Sequence, residues 1–171
     1  MVKKAGAEAR REIYNYILKY PGLHLSELSR KMNIPKSTIN YHLNHLKKQE
    51  YIIKKPADKY TRYYIANNVG ENEKQILHLL RQETPREIVI FLLLNHNSSQ
   101  IRISKNLKKH PTTIAFHLNK LMNVDIVESI PNGNEINYSI KNEEYIFDLL
   151  GKYKDSFLDD TVDYILCSLL E

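Results

Sequence analysis

The sequence predicts a mainly α-helical protein with small β-hairpins, in which one unit of about 60 residues occurs twice in tandem. Shifting the 171-residue chain by 75 residues aligns it with itself without a gap. His42-Leu43-Asn44 then meets His117-Leu118-Asn119, and Thr38-Ile39 meets Thr113-Ile114. In each copy, stretches with helical periodicity precede two β-rich stretches that flank a turn. A helix between the copies and C-terminal helices after the second copy complete the predicted architecture.

The first copy begins with a helix over Ala5 to Tyr20, which Pro21-Gly22 ends. The residues Leu23 to Leu25 form a short extended segment. Ser26 is expected to cap the brief helix that follows, because its hydroxyl can accept unpaired backbone N–H groups. Asn33-Ile34 then makes the turn to the next helix.

That next helix is predicted over Lys36 to Lys48, directly after Pro35, whose fixed φ and missing N–H suit a first helical turn. The β-rich stretches Tyr51 to Lys55 and Tyr60 to Ile65 flank the turn Pro56 to Lys59, which predicts a hairpin. The resulting order is helix, strand, helix, turn, helix and hairpin. This is the order of a winged helix-turn-helix unit.

The helix over Lys36 to Lys48 has an apolar and a polar face. Ile39, Leu43 and Leu46 are spaced by four and then three residues, which places them on one side. The other side offers donors, acceptors and an aromatic ring but no acid, which suits the major groove of DNA. An ordinary amphipathic surface helix is the alternative interpretation. The side chains expected to contact base edges are Lys36, Ser37, Thr38, Asn40, Tyr41 and Asn44.

The string LSELSRKMNIPKSTINYHLNHLKKQEYI resembles the core of the ArsR- and MarR-like winged-helix regulators. The shared pattern is a Leu-Ser-Glu-Leu helix start, a Ser/Thr-rich recognition helix with His-Leu in its middle, and an aliphatic strand. The resemblance covers residues 5–66 well and 85–142 moderately. It implies a transcription regulator of the archaeal type, with tandem units.

Charge is unevenly distributed along the chain. Residues 1–67 hold 14 Lys and Arg against 5 Asp and Glu, a net charge of +9, whereas residues 143–171 hold 2 against 8, a net charge of −6. A basic front favours contact with nucleic acid. The side chains expected to bind the DNA backbone, mostly on the wing over 54–62, are Lys47, Lys48, Lys54, Lys55, Lys59 and Arg62.

The second copy lacks most of these base-contacting groups. Pro111, Ala115 and Phe116 stand where the first copy has Lys, Asn and Tyr. Its hairpin tip includes Glu135, although a wing that meets phosphates needs cations. We therefore expect the second unit to be a weaker DNA-contacting unit or an assembly module. The residues left for DNA contact are Thr112, Asn119 and Lys120.

The predicted boundaries are 1–67 for the first unit, 68–83 for a linker helix, 84–142 for the second unit and 143–171 for acidic C-terminal helices used in assembly. The segment Ile88 to Leu94 is apolar all round, so its helix must be covered on both sides. This excess of apolar surface predicts a homodimer. The expected interface residues are Ile90, Leu94, Leu149, Leu150, Ile165, Leu166, Leu169 and Leu170.

The sequence favours neither catalysis nor metal binding. It has no glycine-rich phosphate loop and no evident Ser/His/Asp set, so we do not expect an enzyme or a bound cofactor. His42 and His117 lie beside core leucines, where packing is expected rather than metal ligation, and Cys167 lacks a second thiolate. The chain shows neither a secretion signal nor an apolar run long enough for a membrane span. Its single cysteine suits a reducing cytoplasm.

Together these features predict a cytoplasmic, sequence-specific regulator that binds double-stranded DNA, with transcription machinery as a further partner. The main alternative is a protein–protein adaptor of the transcription or chromosome machinery, in which winged helices are docking surfaces. An adaptor, however, does not need a basic, acid-free recognition helix. A third interpretation is a single-strand or RNA binder that stacks bases on Tyr60, Tyr63 and Tyr64, although such alternating aromatics more often pack within a strand.

Overall fold

The computed structural model describes residues 2–57, 59–153 and 157, without the side chains of residues 2–5. The chain divides into two compact units between Lys74 and Gln75. Each unit combines helices with a small antiparallel sheet, as the sequence predicts. The last predicted helix, over Phe157 to Leu170, lies outside the described residues except for Phe157.

The first unit has the predicted order of elements. Its sheet has the strand order β1-β3-β2, in which Leu23 pairs with Tyr63, and Ile52 with Ile65. The elements are α1 (Val2–Lys19), β1 (Leu23–His24), α2 (Leu25–Met32), α3 (Lys36–Lys48), β2 (Ile52–Ala57) and β3 (Tyr60–Ile65). This is a winged helix-turn-helix in which α3 is the recognition helix and the β2–β3 hairpin is the wing.

The second unit repeats this arrangement. From β4 to β6, each strand and helix begins and ends 75 residues after its counterpart in the first unit, the offset at which the sequence matches itself. The elements after the first wing are α4 (Glu71–Leu80), α5 (Glu83–Leu94), β4 (Ser98–Ser99), α6 (Gln100–Leu107), α7 (Pro111–Asn123), β5 (Val127–Asn132), β6 (Glu135–Ile140) and α8 (Glu143–Lys152). Helix α4 crosses the boundary between the units.

The core of the first unit lies between α1, α2, α3 and the sheet. Ile13 and Ile17 of α1 belong to the same buried cluster as Ile39, Leu43 and Leu46 of α3. The periodic apolar face of α3 is therefore the face that packs inward, as its spacing predicts. Burial of a side chain of this size stabilises the fold by about 1.5–3 kcal/mol.

The start of α2 differs from the prediction, because His24 and not Ser26 is the N-cap. The His24 Nδ1 atom accepts the backbone N–H of Ser26 at 3.2 Å and that of Glu27 at 3.4 Å. The Glu27 carboxylate in turn accepts the His24 backbone N–H at 2.9 Å, which completes a capping box. A Glu three residues after the cap was the available sequence signal.

Helix α5 is buried on all sides, as its composition predicts. Every residue from Ile88 to Leu93 is buried. The structure corrects the predicted dimer interface, since Ile90, Leu149 and Leu150 are buried within the second unit itself and only Leu94 is exposed, at 44%. The other four predicted interface residues lie outside the described part of the chain: Ile165, Leu166, Leu169 and Leu170.

We expect Gly22→Ala to lower the free energy of unfolding by about 1–2 kcal/mol, measured by urea denaturation. Gly22 has φ +83, and a Cβ atom there would lie 3.0 Å from the Tyr64 hydroxyl oxygen. Gly70→Ala is the matched control, because a Cβ atom at Gly70 meets nothing within 4 Å. Equal stability of the two variants would contradict this prediction.

Candidate nucleic-acid interface

The two faces of α3 have opposite environments. Ile39, His42, Leu43 and Leu46 are buried. All six predicted base-contacting side chains are exposed: Lys36, Ser37, Thr38, Asn40, Tyr41 and Asn44. Tyr41 is the most exposed large hydrophobic side chain in the described residues, at 64%. The outer face of α3 therefore offers hydrogen-bonding groups and one ring without any carboxylate.

A hydrogen bond joins α3 to the wing. The Lys54 ammonium group donates to the Asn44 side-chain oxygen at 2.9 Å, and it lies 5.7 Å from the centre of the Tyr63 ring. Burial, with a smaller contribution from the charge of Lys47, lowers the pKa of Lys54. The bond uses the acceptor atom of the Asn44 amide, so the amide NH₂ group remains for contact with a base.

Lys55 already has an ionic partner. Its ammonium nitrogen lies 2.8 Å from one carboxylate oxygen of Glu71, and Lys74 lies 2.7 Å from the other. The hydrogen bonds from Lys55 and Lys74 lower the pKa of Glu71 to about 2. A phosphate must therefore compete with Glu71 for Lys55, a competition that the sequence did not indicate.

Arg62 is a correction to the predicted set of phosphate-binding residues. Only 8% of the residue is exposed, and its guanidinium group donates to the Gly22 carbonyl at 2.7 Å. It also lies 3.8 Å from the Glu27 carboxylate. The pairing of β1 with β3 brings Gly22 next to Arg62, so this arginine ties the sheet to the start of α2. The remaining expected phosphate contacts Lys47, Lys48 and Lys59 are exposed.

The wing tyrosines mostly pack within the unit. Tyr63 and Tyr64 are buried, at 4% and 2% exposure, so they cannot stack on a single strand of nucleic acid. Tyr60 is exposed, but one face of its ring stacks on His24 with 4.2 Å between the ring centres. Packing, the more common role for alternating aromatics, is therefore confirmed for Tyr63 and Tyr64.

Helix α7 of the second unit presents a less polar surface. Phe116 is 55% exposed, and the Lys120 ammonium group lies 4.5 Å from the centre of its ring. The Thr112 hydroxyl is engaged by His110 Nδ1 at 2.8 Å, whereas Asn119 is exposed. Of the three expected DNA contacts, Thr112 and Lys120 already have partners within the helix.

The two matching histidines lie on the inner sides of α3 and α7. His42 is buried, His117 is half-buried, and the Nδ1 atom of each has no hydrogen-bond partner among the described residues. Burial is the largest cause that lowers the pKa of both imidazoles, with smaller contributions from Arg10 for His42 and from Lys120 for His117. Within the described ranges, no group of three or more His, Cys, Asp or Glu is arranged to hold a metal ion. Cys167 lies outside those ranges.

Comparison with known proteins identifies the helix-turn-helix in the first unit. Residues 7–77 match the family model HTH_HVO_0163_N, an N-terminal HTH domain. The chain is also similar to a protein of Methanocaldococcus jannaschii named as the uncharacterized HTH-type transcriptional regulator MJ1398, with 39% identity over 133 residues, or 78% of this chain. The match covers 33% of that relative, so the chain spans about a third of its length.

Solved structures with a similar fold include reduced HlyU from Vibrio cholerae, at 19% identity and a TM-score of 0.42, over 47% of this chain and 86% of that one. Another is the zinc-responsive MarR family member ZitR of Lactococcus lactis, at 17% identity and a TM-score of 0.32, over 79% and 94% of the two chains. Across the described residues, no helix is both long and apolar enough to span a membrane.

We expect Arg62→Gln to lower the free energy of unfolding by about 1.5–3 kcal/mol, because it removes a charged hydrogen bond to a buried carbonyl. Lys59→Gln removes the same charge from the same hairpin at an exposed position and should change stability little. Denaturant unfolding of both variants measures this difference. Similar stabilities for both would place Arg62 outside the core network.

The buried histidines predict a pH dependence of stability. Because burial holds the pKa of His42 below its ordinary value of 6.5, the unfolded chain binds protons more readily than the folded chain. Stability should be complete above this value and decrease as the pH falls below it. Unfolding measured from about pH 7.5 to about pH 5 should therefore show a smaller decrease for His42→Gln than for the parent protein. An unchanged decrease would contradict this assignment.

Proposed function

We propose that the protein is a transcription regulator that binds double-stranded DNA sequence-specifically, with α3 in the major groove. The observation that supports this most directly is the exposed, acid-free outer face of α3 opposite a fully buried apolar face. The major groove, about 12 Å wide, admits an α-helix. The HTH match over residues 7–77 and the regulator name of the relative agree with this assignment.

Base recognition would depend on a few side chains of α3. The amide of Asn40 can pair bidentately with adenine, and Lys36 can donate to guanine. Both are exposed in the first half of the helix. Asn44, bound to Lys54, would contact a base through its NH₂ group, in an orientation that the wing fixes.

Backbone binding would rely on the exposed lysines. Lys47 and Lys48 lie in the last turn of α3, and Lys59 lies at the tip of the wing. Lys54 and Lys55 would contribute less, because Asn44 and Glu71 already engage them. The net charge of +9 over residues 1–67 supports this electrostatic attraction to phosphates.

We assign the second unit a weaker role in DNA binding, through Thr112, Asn119 and Lys120. The exposed Phe116 and the apolar Ala115 make α7 poorer in hydrogen-bonding groups than α3. This surface is also the feature that favours the alternative, in which the second unit docks onto transcription machinery. On this proposal the chain is a tandem regulator of the ArsR- and MarR-like kind in a reducing cytoplasm.

We expect Asn40→Ala, which installs the residue found in the second unit, to weaken binding by about 1–3 kcal/mol at one base position and to relax the preference there. Lys59→Ala should weaken all sequences alike and reduce the slope of the salt dependence by about one. Selection from a random DNA pool, followed by titrations at several salt concentrations, measures both effects.

Lys120→Ala is the control in the second unit, and its effect on affinity should be smaller than that of either variant. Equal losses from Lys120→Ala and Asn40→Ala would contradict the assignment of base recognition to the first unit. Binding of random and selected DNA with equal affinity would contradict sequence specificity.

The proposed homodimer predicts a mass in light scattering that is twice the 20.1 kDa of one chain. Only Leu94 of the described interface residues is exposed, so the contact would depend mainly on the apolar residues of the tail. Leu166→Asp should halve the mass, whereas Leu94→Asp should weaken association less. A monomer mass for the parent chain at micromolar concentration would refute the dimer.

A further inference from the structure

A cleft of about 300 Å³ opens in the first unit between α1 and the end of α3, away from the base-contacting residues. Arg10, Arg11 and Tyr14 of α1 form one side. Leu46 of α3 and Tyr51, just before β2, lie on the other side. Pockets for small organic molecules begin at about this volume.

The polar groups around the cleft are cationic or neutral. The lining residues include two arginines and no Asp or Glu, within the part of the chain that the structure describes. The Arg10 Nε atom is buried, and it has no hydrogen-bond partner among the described residues. Buried donors of native proteins are nearly always paired, so this donor indicates a missing acceptor.

A second unpaired atom lies on the same side of α3. His45 is one helical turn before Gln49, a lining residue, and its buried Nδ1 atom also has no partner in the described residues. His42 Nδ1 is weaker support, because the equivalent His117 Nδ1 is unpaired too. The unpaired Arg10 and His45 atoms are particular to the first unit.

The second unit shows that the fold itself does not require this cleft. At a shift of 75 residues, Pro85, Val89 and Ile126 take the positions of Arg10, Tyr14 and Tyr51, and all three are buried. Arg86, in the position of Arg11, donates to the Leu80 carbonyl at 2.9 Å. One copy therefore fills the region with apolar groups, while the other lines it with cations and rings.

We propose that this cleft binds a small aromatic carboxylate. A guanidinium fork matches a carboxylate in two parallel hydrogen bonds, and the excess of positive charge demands an anion. Tyr14 and Tyr51 meet edge to face, with ring centres 6.2 Å apart, which is the arrangement that accommodates a further flat ring. Leu46 and Ala7 add apolar wall, which favours an organic anion over a hydrated inorganic one.

The test uses the full chain and 2-naphthoate, followed by amide chemical shifts in NMR, without DNA. We expect a saturable one-to-one complex with shifts concentrated at Arg10, Tyr14, Leu46 and Tyr51. The neutral analogue 2-naphthalenemethanol should bind about tenfold more weakly or worse. Because no DNA is present, the result is independent of the proposed DNA-binding function.

Arg10→Met should weaken naphthoate binding by about tenfold or more, since a charged hydrogen bond is lost. Arg30→Met is the matched control, because it removes one exposed arginine of the same unit that does not line the cleft. Tyr51→Ile, which installs the residue of the second unit, provides an independent variant and should also weaken binding.

Three results would overturn the proposal. The first is the absence of a saturable shift at millimolar naphthoate, and the second is saturation at other residues. The third is equal loss of binding in Arg10→Met and Arg30→Met when both have the amide spectrum of the folded protein. Equal affinity for the neutral analogue would reject the carboxylate assignment in particular.

Discussion

The packing of α3 against α1 holds the candidate DNA surface in a fixed orientation. Ile39, Leu43 and Leu46 share one buried cluster with Ile13 and Ile17. Rotation of α3 about its axis would expose several of these side chains at once, at about 1.5–3 kcal/mol each. The polar face is therefore presented by a rigid element, and a contact surface is more accurate on such an element than on a loop.

Several charged groups in the first unit stabilise the scaffold instead of facing solvent. Arg62 binds the Gly22 carbonyl and lies near Glu27, which closes the capping box of α2 together with His24. Lys55 is similarly paired with Glu71. These contacts fix the wing relative to the helices, and they reduce the number of cations that are available for phosphates.

The two units use one backbone plan for different surfaces. Elements from β1 to β3 recur after 75 residues as β4 to β6, and the inward leucines of α3 and α7 are both buried. The outward residues have diverged, with Phe116 in place of Tyr41 and Ala115 in place of Asn40. Core positions are constrained by packing in both copies, whereas exposed positions could diverge without loss of the fold.

The sequence by itself determined the element order, the repeat and the inward face of α3, because hydrophobic periodicity and turn residues act over a few neighbouring positions. It also identified the six exposed residues of α3 as a group. Only the tertiary structure decided the roles of Arg62, Ile90 and Leu149 and the assembly of the cleft beside Arg10. These depend on groups that are distant in the chain, such as Gly22 and Arg62, 40 residues apart. Local patterns do not specify which distant group will satisfy a charge or cover an apolar side chain.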